Sequence, residues 1–135
     1  MVDQPSRKPV YALLLASAQQ DLAACKLLAS NAGIGDAIVG FHAQQSIEKS
    51  LKAVLSAHSV EFRRTHDLII LLDLLQDHKL SSPPEAAWLD ELNPYAVEAR
   101  YGTIDPAGLD RSHAMQAAEQ VLDWAAQETR SLRGQ

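Results

Sequence analysis

An all-α bundle is the fold class this 135-residue sequence predicts, and three observations carry that reading. Hydrophobic residues make up 47% and aromatics only 5%, and the apolar share is mostly Ala and Leu, which suits close-packed helices better than sheets. Apolar residues recur at three- and four-residue steps through most of the chain. No segment keeps the period of two that a half-buried strand requires. The expected architecture is an up-and-down bundle of four long helices plus one short helix. The length fits one domain with a core that needs neither metal nor disulfide staples.

Residues 1–8 read as a loose polar leader, and 9–133 as the single helical domain. Pro9 suits the first turn of a helix that runs to about Ser30, with Tyr11, Leu14, Ala18, Leu22, Cys25 and Leu28 on its apolar stripe. Gln19, Gln20 and Lys26 fall on the solvent side. Asn31 to Gly35 breaks the pattern, and Asp36 is placed to cap the next helix.

That next stretch, Asp36 to Ser59, is the centre of the chain. It contains no proline, and no glycine after Gly40. Ala37, Phe41, Ile47, Leu51, Val54 and Leu55 form a broad apolar arc, and a nearly opposite arc is small: Ala43, Ser46, Ser50, Ala53 and Ala57. Small residues at that spacing admit a close neighbour. His42, Gln45, Lys49, Lys52 and Ser56 fill the narrow strip left for water. Gln44 and Glu48 project from the middle of the large apolar arc, so both need partners there.

A third helix is expected from a Thr65 cap to about His78, carrying Leu68, Leu71, Leu72 and Leu75. Ser81-Ser82-Pro83-Pro84-Glu85 restarts a helix with Trp88, Leu89 and Leu92 on its apolar face, Asn93-Pro94 interrupts, and Tyr95 to Tyr101 makes a further short turn. Asp105-Pro106 opens the last helix, whose stripe is Leu109, Ala114, Ala117, Ala118, Val121, Leu122, Ala125 and Leu132.

Several chemistries lack their residues. Gly33-x-Gly35 precedes a helix, but position 38 is Ile38 and no strand leads in, so it reads as a helix–helix turn. The five histidines, His42, His58, His66, His78 and His113, include no HExxH and no metal-ligand spacing with the one cysteine, Cys25. No GxSxG is present. A net charge of -5 argues against a surface that coats nucleic acid, though not against a local basic pocket. The lone cysteine is compatible with a reducing cytoplasm, and no apolar run reaches membrane-spanning length.

Two basic groups remain. Arg63-Arg64-Thr65-His66 lies at the start of the third helix, with Lys49 and Lys52 on the central strip, and such a set beside helix amides suits phosphate. The alternative is solvated arginines with His66 packed on the bundle end. Arg100-Tyr101-Gly102 suits phosphate clamping or base stacking, or else places Arg100 against Glu48 as a buried pair that fixes register.

The segments Phe41-His42-Ala43-Gln44-Gln45-Ser46-Ile47-Glu48-Lys49-Ser50-Leu51-Lys52-Ala53, Arg64-Thr65-His66-Asp67-Leu68, Tyr95 and Ala99-Arg100-Tyr101 together resemble the HEPN family, as does Asp21-Leu22 with Cys25 to Leu28. The resemblance covers roughly residues 10–130. It implies a four- to five-helix bundle that usually homodimerises, through the small-residue arc or the last helix. Many members resemble ribonuclease toxins with an R-x4–6-H motif. Here no arginine is followed five to seven positions later by histidine; Arg64 and His66 are too close, as are Arg111 and His113, and Arg100 and His113 too far apart.

That departure favours the branch encoded beside minimal nucleotidyltransferases. The expectation is a non-catalytic, cytoplasmic HEPN homodimer that binds a nucleotide or phosphate ligand, or partners such a transferase in a toxin–antitoxin-like setting. Lys49, Lys52, Arg64, His66, Arg100 and Tyr101 are its candidate ligand contacts, with Gln44 and Glu48 structural, and no metal or cofactor is expected. The alternatives are a degenerate metal-independent ribonuclease using His66 or His113, and a purely structural dimerisation module.

Overall fold

The computed structural model describes residues 8–97, 101 and 108–133. Four α-helices and one short 3-10 helix account for the regular structure of these residues: α1 (Val10–Ala29), α2 (Asp36–Ala57), α3 (Leu68–Asp77), the 3-10 helix Leu89–Tyr95, and α4 (Arg111–Arg133). Helix α2 lies at the centre and packs against every other element. Its large apolar arc meets α4 through Ala114, Ala117, Ala118, Val121 and Ala125, which are buried with Ile47, Leu51, Val54 and Leu55 in one core.

The small arc of α2 is filled within the chain itself. Ala43, Ser46, Ser50 and Ala53 are fully buried, and Ser46 Oγ donates to the Ala18 carbonyl of α1 at 2.9 Å. It is therefore an intrachain seam, which corrects the expectation that this arc is free to join two copies. On α1, Ala18, Leu22 and Cys25 are buried as the stripe requires.

Helix ends differ from the expected caps for local reasons. Gly35 occupies the position before α2, and Asp36 is its first residue. For α3 the cap is Asp67, whose Oδ1 accepts from the Ile69 amide, while Thr65 Oγ1 accepts one step earlier, from the Asp67 amide. Both α2 and α3 end in the same turn. The Val60 amide reaches the Leu55 carbonyl and the Leu80 amide the Leu75 carbonyl, with Ser59 and Lys79 left-handed at φ 59° and 57°.

The restart after Ser81 is not an α-helix. Residues 84–88 form turns, and the 3-10 helix then runs through Asn93-Pro94 instead of stopping there. Three prolines within a dozen residues remove the amide donors an α-helix would use. The expected opening at Asp105-Pro106 lies outside the described residues. Among those described, Asp110 supplies the cap of α4, its Oδ1 accepting from the His113 amide at 3.0 Å. The leader, apart from Lys8, also lies outside them.

Candidate functional site

Glu48 is the residue around which the polar interior is built. A carboxylate only 4% exposed must be met by donors, and among the described residues four side chains meet it. Lys52 Nζ donates to Oε2 at 2.9 Å, and Gln44 Nε2 to Oε1 at 3.1 Å. Gln45 Nε2 lies 3.4 Å from Oε1 and donates to Gln44 Oε1 at 2.7 Å. His66 Nδ1 lies 3.0 Å from Oε1, across from the α2–α3 connection. The carboxylate can only accept, so Nδ1 carries the proton and Nε2 is left on the far side of a ring that is 54% exposed. Gln44 also donates to the His66 carbonyl at 3.0 Å, tying that connection to α2.

One turn back along the same strip a second carboxylate repeats the arrangement. Asp21, on α1, takes Lys49 Nζ at 2.6 Å on Oδ2 and His42 Nδ1 at 3.0 Å on Oδ1. The strip is thus not a plain solvated face. His42, Gln45, Lys49 and Lys52 are half-buried, each bound to an acid.

The sequence-derived residues separate accordingly. Lys52 and His66 converge on Glu48, and Lys49 points to Asp21 instead. Arg63 and Arg64 are exposed on the connection that carries His66. The first amides of α3 are already used, Leu68 by Asn93 Oδ1 at 2.9 Å and Ile69 by Asp67 Oδ1, which corrects the picture of a phosphate cradled by that helix end. A hollow of about 240 Å³ adjoins, lined by His66, Asp67, Asn93, Ala96 and Val97. Arg100 lies outside the described residues, and Tyr101 is largely exposed. Among the described residues, Glu48 takes its side-chain partners from α2 and His66, and the expected Arg100–Glu48 pair lies outside them.

The match to the family described as HEPN domain spans residues 11–129. The chain belongs to the HEPN domain family. Two solved structures share the fold. TT1696 from Thermus thermophilus is 26% identical, with a TM-score of 0.57 over 94% of this chain and 98% of that one. ST0689, an archaeal HEPN homologue, is 21% identical, with a TM-score of 0.51 over 95% and 98%. No curated protein matches the sequence.

Two further features of this HEPN chain are not legible as partners in the sequence. Arg111 spends its guanidinium on structure: Nε donates to Asp36 Oδ1 at 2.7 Å, Nη1 to the Ala29 and Asn31 carbonyls at 3.1 and 3.3 Å, and Nη2 to the Ile34 carbonyl. The hydrogen bond from Arg111, followed by the Leu109 amide and the guanidinium charge, holds the Asp36 carboxyl below its usual range against a smaller opposing effect of burial. His113 pairs with Glu85 and stacks on Trp88, ring centroids 4.0 Å apart. Among the described residues, no group of three His, Cys, Asp or Glu side chains is arranged to hold a metal ion, and no helix is long and apolar enough to cross a membrane.

Proposed function

We propose that this HEPN chain is a non-catalytic binding module whose ligand is a nucleotide or another phosphate-bearing group, met at the corner between α2 and α3. The observation that carries the reading is the fixed imidazole of His66. Glu48 holds Nδ1, which leaves Nε2 on the far side of a half-exposed ring; the exposed Arg63 and Arg64 lie on the same connection, and Lys52 is on the same carboxylate. An arginine and an imidazolium, whose Nε2 then also donates, suit a phosphate's non-bridging oxygens. Lys49 lies on the same strip, bound to Asp21. The same module as a cytoplasmic homodimer, or docked on a minimal nucleotidyltransferase in a toxin–antitoxin-like pair, fits what the family resemblance implies.

Calorimetric titration with ATP tests it. Saturable binding to the wild type that is lost in Arg64→Ala, with an unchanged circular dichroism spectrum, supports the assignment; equal binding by both removes Arg64 from the site.

One geometric feature favours a second reading, a degenerate metal-independent ribonuclease. A carboxylate–imidazole pair with Nε2 outward is the arrangement of a general base, which would take the 2′-hydroxyl proton of RNA while Arg64 stabilised the charged phosphorane. RNA cleavage in the presence of a chelator that disappears in His66→Gln is its signature, and intact RNA at high protein concentration excludes it.

A further inference from the structure

The two acid-centred clusters share one design. In each, a carboxylate takes a lysine on one oxygen and a histidine Nδ1 on the other: Asp21 with Lys49 and His42, Glu48 with Lys52 and His66. Each lysine's charge is therefore already matched by an acid 2.6 or 2.9 Å away. An arriving anion meets two neutral ion pairs instead of two free cations. The histidines are the members that can change the sum, because imidazole is the side chain whose charge changes between about pH 5 and 8.

We propose that anion binding along this strip of α2 is proton-linked, with His42 and His66 taking up protons as a phosphate-type ligand binds. The inference rests on the phosphate-binding reading above and concerns how that site is regulated. Protonation leaves Nδ1–H on its carboxylate and adds Nε2–H on the opposite side of the ring, so each cluster gains one positive charge and one further donor.

The surroundings have both signs. Around His42 stand Asp21 from α1, Lys49 from α2 and the edge of the Phe41 ring, 5.2 Å between centroids. Around His66 stand Glu48 and Lys52 from α2, Asp67 and Arg64 from its own connection, and the neutral Asn93 from the 3-10 helix. In both, the acid is in direct contact with the imidazole and binds the lysine through its other oxygen.

The test uses sulfate, a tetrahedral anion whose own charge is constant over the range. The full-length wild type is titrated with sodium sulfate by calorimetry at pH 5.5 and pH 8.0, at fixed ionic strength. Affinity is expected to be greater at the lower pH by on the order of tenfold or more, as linkage requires when a proton is taken up. His42→Gln with His66→Gln keeps an amide donor for each carboxylate and should abolish that slope. Without any mutation, added sulfate should move the titrations of these two imidazoles to higher pH in NMR spectra.

Sulfate binding that is saturable but independent of pH overturns the linkage while leaving the binding reading intact. A slope that survives in the double variant overturns the assignment to these histidines. Absence of saturable binding of either sulfate or ATP at both pH values overturns the linkage and the reading together.

Discussion

Glu48 sits 4% exposed with a lysine that is itself only 14% exposed, so removing the acid strands a charge. Glu48→Ala is expected to lower stability by about 3 kcal/mol, because one half of a buried pair left alone is far costlier than the pair is favourable. Urea denaturation measures this, and Glu48→Gln, which keeps an acceptor for the imidazole, should lose less. Gly40 makes a steric case of the same kind. A Cβ there would overlap the Tyr95 ring, so Gly40→Ala should lose about 1–3 kcal/mol in the same assay despite the better helix propensity of alanine. The need for partners at Gln44 and Glu48 is legible from their place on an apolar arc, since polarity against helical phase is a local property. Their identity is not. Helical angle alone places Lys52 in solvent, and His66 reaches Glu48 from 18 residues away, a closure that periodicity does not encode.

Between elements, the contact that the sequence signals least is one of the most connected. In the sequence Arg111 matters only for its spacing to His113, yet it gathers the carbonyl end of α1, the turn after it and the first residue of α2. Cations belong at such carbonyl ends, and a planar five-donor group serves several acceptors at once where an ammonium does not. Arg111→Lys should therefore cost about 1–3 kcal/mol of stability. It should also change the acid limb of the stability curve. The Asp36 carboxyl is held low in the folded protein, so its contribution is complete above the ordinary aspartate range, about pH 4, and fades as pH falls through the lowered value. Denaturation midpoints measured from pH 6 down to pH 2 should show a shallower loss in Arg111→Lys than in the wild type. The elements themselves are largely legible, because long amphipathic stretches and Asn/Gly-rich breaks are local signals. The segment after Ser81 is not. Prolines mark helix starts and helix failures alike, and only the packing of Leu89, Leu92 and Tyr95 on the core decides for a 3-10 helix.

For the molecule as a whole, one core centred on α2 predicts one cooperative unit, and Cys25 reports on it. Burial raises its thiol to about 11, so little thiolate exists in the folded state. Its labelling by a disulfide reagent at pH 8 should be slow and should track global unfolding across a urea series; fast labelling in native buffer would mean that α1 opens separately from the rest. The HEPN family and its bundle are readable from motif order along the whole chain. Of the candidate ligand contacts, Lys49, Lys52 and His66 are each bound to an acid, which spacing in the sequence does not reveal, while Arg64 is exposed as its place on a short connection suggests. The central claim is that a phosphate ligand meets the α2–α3 corner. Amide NMR spectra of the labelled protein recorded as ATP is added test it most directly. Shifts that saturate and concentrate on Glu48, Lys52, Arg64 and His66 are the predicted result; shifts centred on Glu85 and His113, or none at millimolar ATP, would contradict it.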